Sequence, residues 1–378
     1  MAQPASARGE PAYPVARAGA AAVAAFYARL GASPPMPDDA DAVPQLLDAA
    51  FWASLRREEG RSPRISLAMV SPADAGQPLT FERPLALLPD ALTRLSPAVE
   101  RPGIHLGVWP IDGVLRIWGA TRVLPDHCLV VEVVEPGLLV LKHRRAASFG
   151  KFGNIAVLRG DHLRIVDERS ARLPDCPAML AALLGLEEPA SWVDAGNELV
   201  QLAISMRGHG RGGSLLVVPR GSDRWRESVV QPVSYAIAPP FAQLADLVQQ
   251  PPGGPDDPDR LSGIRRLVEG IAGLTAVDGA AVLTDAYEVL AFGAKIARRP
   301  EAPQVERALV TEPVDDDGPM LASPALLGGT RHLSAAQFVH DQRDALALIA
   351  SQDGRFTVFA WSPSASLVHA HRIEALLL

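Results

Sequence analysis

The fold of the first half is decided by the stretch Cys128-Leu129-Val130-Val131-Glu132-Val133, which precedes the turn Pro136-Gly137 and the run Leu138-Leu139-Val140-Leu141-Lys142. Aliphatic and β-branched residues dominate both runs, and each run has the length of a strand. Pro-Gly is a turn dipeptide. The stretch therefore predicts two largely buried strands that are separated by a tight turn.

Similar runs lie on both sides of this stretch and extend the β-rich region from about Arg64 to Glu168. Turn signals such as Asp112-Gly113 separate them. The pattern predicts a strongly curved sheet or a small barrel, preceded by two helices at 15–30 and 43–59. The further predicted strands are 65–70, 79–81, 106–109, 114–118 and 155–158.

The second half alternates between helical and strand patterns, which predicts a mixed sheet flanked by helices. Helices are predicted at 193–206 and 261–271 and after Gly329, whereas 298–319 carries no regular pattern. The predicted strands are 214–218, 280–283, 289–296, 345–350 and 355–361. The chain is therefore predicted to belong to the mixed α/β class. Prolines around 173–191 place the domain boundary near Pro189, giving an accessory or sensor domain at 1–188 and a second domain at 189–378.

Composition excludes several classes of protein. The net charge is −7, with 36 Lys plus Arg against 43 Asp plus Glu, so no basic face for extended nucleic acid is expected. No apolar run reaches the roughly 18 residues that span a bilayer, and the first residues do not resemble a signal peptide. Cys128 and Cys176 have no partner at disulfide or zinc spacing and are predicted to be buried free thiols. These observations predict a cytoplasmic protein without membrane contact.

Two segments of the second half carry groups that suit a polyphosphate. Gly328-Gly329-Thr330-Arg331-His332 offers a glycine pair, a hydroxyl, a guanidinium and an imidazole at the start of a predicted helix. Val277-Asp278-Gly279-Ala280 adds a carboxylate, which is a ligand for the divalent metal that accompanies such a phosphate. The pair of segments predicts a nucleotide site.

These segments resemble the diadenylate cyclase domain family, in order and in separation. The resemblance covers about 193–361 and rests on Asp278-Gly279-Ala280 with its hairpin, Gly329-Thr330-Arg331-His332-x-Ser334, and the strand and turn that contain Ser351. It implies an enzyme in which two domains face each other, each holding one ATP with Mg²⁺ or Mn²⁺, and make cyclic di-AMP and pyrophosphate. A homodimer or higher homo-oligomer is therefore implied.

The resemblance also implies a role for each residue. Asp278 would serve the metal and the attacking hydroxyl, and Asp278, Arg331 and His332 would be catalytic. Gly279, Ala280, Gly329, Thr330, Arg331, His332, Ser334 and Ser351 would line the nucleotide pocket. Ser334 is also predicted to cap the helix start, in a Ser-x-x-Gln pattern with Gln337.

One departure keeps other functions open. The family's Arg-His-Arg triplet reads Arg331-His332-Leu333 here, so one cation near the phosphates is missing. The alternatives are a catalytically inactive sensor that binds ATP or a cyclic dinucleotide, and an interaction scaffold with a degenerate pocket. On a structural reading, Asp278 is a turn residue, Arg331 an ion-pair partner and His332 an interior histidine.

Three other clusters are interpreted as structural features and not as binding sites. The glycine-rich run 207–213 lacks the Gly-Lys-Ser/Thr ending of a P-loop and is predicted to be a mobile loop. His369 and His371 share a strand face without an identifiable third metal ligand. The basic run 142–145 is predicted to be a solvated loop.

The N-terminal half resembles the accessory region of bacterial proteins that are predicted nucleotide sensors built around a diadenylate cyclase-like domain, of the DACNV type. This resemblance implies regulation, partner docking or ligand sensing.

Overall fold

The computed structural model of the chain describes residues 11–100, 103–146, 152–166, 175, 177, 198–250, 258–312 and 319–377. The chain divides into two compact units, Met1–Val166 and Asp167–Leu378. The predicted boundary near Pro189 falls outside the described residues and stays a prediction. Cys176 lies outside them as well.

The N-terminal unit combines helices with one eight-stranded sheet. Its helices are α1 (Ala16–Leu30), α2 (Ala42–Ser54) and α3 (Pro89–Val99). Its strands are β1 (Ile65–Met69), β2 (Leu79–Ala86), β3 (His105–Ile111), β4 (Val114–Thr121), β5 (Leu129–Glu135), β6 (Leu138–Arg144), β7 (Phe152–Arg159) and β8 (His162–Ile165). Leu46 and Leu47 of α2 pack with Val131, Leu139 and Leu141 in the main core of this unit.

This sheet is open. Its strand order is β2-β4-β3-β1-β5-β6-β7-β8, and in the described part of the chain β2 and β8 do not pair with each other. The small-barrel alternative is therefore wrong. Among the neighbouring strands of this sheet, β1 and β3 are parallel and the other pairs are antiparallel. Short turns join β3 to β4, β5 to β6 and β7 to β8. Register shifts in several pairs, such as Gly107/Val108, add local bend and twist.

The C-terminal unit is built on a nine-stranded mixed sheet. Its helices are α4 (Glu198–Gly208), α5 (Gln243–Gln249), α6 (Pro258–Leu274), α7 (Pro324–Leu327) and α8 (Thr330–Asp341). Its strands are β9 (Gly213–Val218), β10 (Tyr235–Phe241), β11 (Ala280–Thr284), β12 (Val289–Ala294), β13 (Ala308–Thr311), β14 (Met320–Ala322), β15 (Leu346–Ala350), β16 (Phe356–Ser362) and β17 (Leu367–Arg372). The order is β10-β12-β11-β9-β15-β16-β17-β13-β14.

Helices cover both faces of this sheet. Alternate residues of β9 enter different cores: Leu216 and Val218 pack with Phe338 of α8, whereas Leu215 and Val217 pack with residues of α4, α5 and α6. Strands with both faces covered read as continuous apolar runs, which explains Ser214–Val218 and Ala280–Leu283. The predicted mixed α/β class is confirmed.

Several features of the described chain differ from the sequence prediction. The strands β8, β10 and β14 were not predicted, and the helix predicted at 43–59 ends at Ser54. Residues Ala308–Thr311 form a strand that pairs in parallel with β17, although the surrounding segment carries no regular pattern. The helix α3 was not predicted, and it contains Pro97 in its interior. Among the described helices, none has both the length and the apolar character that crossing a bilayer requires.

Candidate functional site

Several of the predicted site residues lie at one edge of the C-terminal sheet. Gly213 at the start of β9 pairs with Ala350 at the end of β15, and β11 runs parallel to β9. Ala280 at the start of β11 pairs with Ala294 at the end of β12. These four strand ends therefore bring the segments before β9 and β11 and after β12 and β15 to the same edge.

Asp278 stands just before β11, where its side chain is 91% exposed. It forms an ion pair with the ammonium group of Lys295, which follows β12 and returns to this point because β11 and β12 form a hairpin. The hydrogen bond and the charge of Lys295 lower the pKa of Asp278 below its usual value, and Arg331 lowers it further. The carboxylate is ionised at neutral pH and lies within electrostatic reach of both cations.

Gly279 allows a close approach between two backbones. Its φ is +111°, and a β-carbon there would lie 2.5 Å from the carbonyl carbon of Gly293. Gly293, at φ +65°, is approached in turn by the Tyr235 ring, which stacks on Phe292 with centroids 4.6 Å apart. The missing side chain of Gly279 is thus required by the hairpin itself. The predicted close contact of Gly279 with a nucleotide stays a prediction.

The segment Gly329-Thr330-Arg331 forms the start of α8. Gly329 is the N-cap residue and no side chain caps the helix, while the His332 amide donates to the Gly329 carbonyl at 3.0 Å. Gly329 and Thr330 are exposed. The Arg331 guanidinium lies over Gly212, because a β-carbon at Gly212 would be 2.7 Å from Arg331 Nη1. The helix start and the segment before β9 therefore belong to one site.

The glycine-rich loop before β9 is part of this site, which the sequence did not indicate. Gly212 has φ +71° and accommodates the Arg331 side chain. Gln352, one residue after Ser351, donates from Nε2 to the Arg211 carbonyl at 3.3 Å. Ser351 itself starts the turn between β15 and β16, where its amide donates to the Arg355 carbonyl at 2.9 Å. Ser351 is close to Gly212 through this turn.

His332 is an interior residue. It is 2% exposed, and its ring lies edge-on to Phe359 with 6.0 Å between the centroids. Its Nε2 is 3.5 Å from Thr357 Oγ1. Burial lowers the pKa of His332 to about 4, so the imidazole is neutral at pH 7. His332 therefore does not present a positive charge to a phosphate in this conformation, as its structural interpretation anticipated.

The predicted capping role of Ser334 is wrong. The helix α8 begins at Thr330, which places Ser334 in its second turn. Gln337 is engaged elsewhere: it accepts from the Val305 amide at 3.0 Å and donates to Asp341 at 2.9 Å. The Ser-x-x-Gln pattern here reflects helix packing. The predicted contacts of Ser334 and of the buried Ala280 with a nucleotide stay predictions.

Asp278 is an exposed carboxylate at this edge of the sheet. No group of three His, Cys, Asp or Glu side chains converges within the described residues. A single exposed carboxylate does suit Mg²⁺ or Mn²⁺ that arrives with a nucleotide, because such ions commonly take one or two protein carboxylates and the substrate phosphates. The geometry fits a metal carried by the substrate.

Two other predicted clusters are structural. His369 and His371 are buried and stacked with centroids 3.7 Å apart, and both contact the Thr311 hydroxyl. The solvated loop predicted at 142–145 is wrong for its first three residues, which lie in β6: Lys142 pairs with Glu132 at 2.6 Å, His143 is buried, and Arg144 ends the strand. Cys128 is a buried free cysteine, as predicted.

We expect the free energy of unfolding to fall as the pH is lowered from about 6.5 toward 4. The buried imidazoles of His332 and His369 have pKa values of about 4, whereas the unfolded chain binds their protons near pH 6.5. Each contributes a loss of up to about 1.4 kcal/mol per pH unit in this window. Urea denaturation across pH measures it, and His332→Gln should give a shallower slope. An unchanged slope would contradict the assignment.

Comparison with known families supports the sensor-type interpretation of the N-terminal half. The family model of DACNV, described as a probable sensor domain, matches residues 32–122. These residues run from the loop before α2 to just beyond β4. A search of curated proteins returned no match to the chain. The resemblance of the C-terminal half to diadenylate cyclases stays a prediction.

Proposed function

With a probable sensor domain matched in the N-terminal unit, we propose that the C-terminal unit binds ATP with Mg²⁺ or Mn²⁺ and condenses two ATP into cyclic di-AMP. One observation carries the proposal. An exposed carboxylate, Asp278, and two cations, Lys295 and Arg331, converge beside an uncapped helix start. This set matches the charges of a metal-bound triphosphate. The N-terminal unit would regulate the reaction.

The chemistry of the reaction fits the groups at this edge. Each 3′-hydroxyl oxygen forms a bond to the α-phosphorus of the other ATP, the α–β bridging bond breaks, and pyrophosphate leaves while the hydroxyl proton passes to solvent. Charge builds on the phosphate oxygens, so cations and a bound metal contribute most. The lowered pKa of Asp278 makes it a weak base and a good metal ligand.

Lys295 has a specific part in the proposal. Its ammonium group pairs with Asp278 and lies at the edge where the triphosphate would bind. If the Asp278 carboxylate held a metal, the Lys295 ammonium would be available to the phosphates. Lys295 would then supply a second cation beside Arg331 and offset the leucine at position 333.

A homodimer or higher homo-oligomer follows from the proposed reaction. In the proposal, the cluster of Asp278, Lys295 and Arg331 holds one ATP, and two ATP molecules must meet with each hydroxyl facing the other phosphate. Two copies related by twofold symmetry present identical pockets in this way.

A non-catalytic nucleotide sensor is the second candidate. It is favoured by Leu333 and by the burial of His332, because two of the three positions of the Arg-His-Arg triplet then offer no cation. Binding through Arg331 and Lys295 would persist while turnover is lost.

Incubation of the purified full chain with ATP and Mn²⁺ or Mg²⁺, followed by mass spectrometry, separates the two candidates. Cyclic di-AMP supports the cyclase. Saturable ATP binding by calorimetry without product supports the sensor and overturns the cyclase. The absence of both product and binding leaves the interaction scaffold.

We expect Arg331→Gln to weaken ATP binding roughly 10- to 100-fold, the usual loss when a charge-assisted hydrogen bond to phosphate is removed. Calorimetric titration with ATP and Mg²⁺ measures the change. Arg266→Gln is the matched control, since it removes an exposed arginine on α6 in the same unit. Equal affinities of the two variants would show that Arg331 does not contact the nucleotide.

A further inference from the structure

A cleft lined by cationic side chains lies at the C-terminal end of α8, whereas Arg331 lies at the start of this helix. The cleft has a volume of about 500 Å³, within the range of small-molecule pockets. Three arginines from separate parts of the chain converge on it: Arg224 from the 3₁₀ turn 224–228, Arg299 after β12, and Arg343 just after α8. His340 of α8 also lines it.

Buried side chains at the end of α8 hold the backbones of two of these arginines. Asp341, whose side chain is fully buried, accepts the Arg299 amide at 2.8 Å. The buried Gln342 donates from Nε2 to the Arg224 carbonyl at 3.0 Å. The backbones of Arg224 and Arg299 are thus attached to the helix end that precedes Arg343. The cleft is assembled before a ligand arrives, which lowers the cost of ordering its arginines.

The Arg343 guanidinium is held by stacking. It lies 4.0 Å from the centroid of the Trp361 ring, and no ion pair of the described residues includes it. Stacking orients the plane of the guanidinium and leaves its N–H groups for hydrogen bonds around the edge. Such a planar fork suits two oxygens of a phosphate.

Carboxylates near the cleft are already engaged or loosely paired. Asp341 is occupied by hydrogen bonds from the Arg299 amide, Gln337 and His340. Asp344 lies 3.9 Å from Arg224, and Glu227 lies 3.1 Å from Arg299. These last two pairs are exposed, and exposed pairs are weak enough for an anion with several charges to replace them.

We propose that this cleft binds a small phosphate-bearing anion at a site separate from the edge that holds Asp278 and Arg331. Arg224, Arg299 and Arg343 surround the anion, and Arg343 provides the bidentate contact. The volume accommodates a phosphorylated small molecule of nucleotide size.

Calorimetric titration of the full chain with inorganic pyrophosphate tests the proposal. We expect the double variant Arg299→Gln with Arg343→Gln to bind at this site at least roughly tenfold more weakly than wild type. The matched control is Arg265→Gln with Arg266→Gln, which removes the same charge from the exposed face of α6. Asp344→Asn should bind a few times more tightly, because a competing carboxylate is removed. If the double arginine variant does not fold, the pyrophosphate affinity of Asp344→Asn tests the proposal.

Arg331→Gln distinguishes the two phosphate sites. Retention of a pyrophosphate site in this variant supports the cleft. The proposal is overturned if wild type shows no saturable binding, if Arg331→Gln alone abolishes all binding, or if both double variants lose affinity equally.

Discussion

Asp278→Asn is expected to lower the rate of cyclic di-AMP formation by roughly two to three orders of magnitude. The substitution keeps the shape of the side chain but removes the negative charge that would hold the metal, and a bound metal contributes several kcal/mol to stabilisation of the transition state. The affinity for metal-free ATP should change little or rise, since Lys295 loses its anionic partner and remains available to the phosphates. Product formation by mass spectrometry and ATP binding by calorimetry measure the two effects.

The stability of this variant should match that of wild type. Asp278 is almost fully exposed, and an exposed ion pair adds little to the free energy of unfolding. Asp259→Asn is the matched control, because Asp259 is exposed near the start of α6, about 22 Å along the helix from its end at Leu274. An Asp278→Asn protein with unchanged turnover would remove Asp278 from the site, and a loss shared with Asp259→Asn would point to a general effect of charge.

Gly279→Ala is expected to destabilise the C-terminal unit by about 2–4 kcal/mol. Two causes add up. The backbone at φ +111° is strained for any residue with a β-carbon, and that carbon would lie 2.5 Å from the Gly293 carbonyl carbon. The hairpin of β11 and β12 must therefore open at the end where Asp278 and Lys295 meet. Urea denaturation followed by circular dichroism measures the change.

Gly270→Ala is the control for this substitution and should have the opposite sign. Gly270 lies inside α6, and no heavy atom lies within 4 Å of a β-carbon placed there. Alanine in a helix interior is favoured over glycine by about 0.5–1 kcal/mol, so this variant should be slightly more stable than wild type. If Gly279→Ala were as stable as Gly270→Ala, the close approach between Gly279 and Gly293 would not constrain the hairpin.

Local sequence patterns predicted buried strands such as β5, β6 and β9 because each of them is a short apolar run. They missed β10, which is largely exposed. They could not distinguish an open sheet from a barrel, since closure depends on whether β2 and β8 meet, and these strands are far apart in sequence. The strand Ala308–Thr311 was missed because its stability comes from pairing with β17, about 60 residues away by register. Long-range pairing of this kind leaves little trace in a local window.

Contacts between residues far apart in sequence also limited the prediction of the candidate site. Asp278 and Arg331 were identified from their motifs, but Lys295 and Gly212 enter only because the sheet order brings β9, β11 and β12 to one edge. The burial of His332 depends on Phe359 and Thr357, which are distant in sequence. The capping role assigned to Ser334 failed because the helix starts at Thr330, where no side chain caps it.

The helix α8 has Arg331 in its first turn. It ends at the buried Asp341, which accepts the Arg299 amide beside the cationic cleft. Its 12 residues form a rod about 18 Å long. A ligand that pulls one end along the axis displaces the other end by the same distance. The two anion sites would then be thermodynamically linked, and the factor by which a phosphate in the cleft alters ATP affinity must equal the factor by which ATP alters affinity in the cleft.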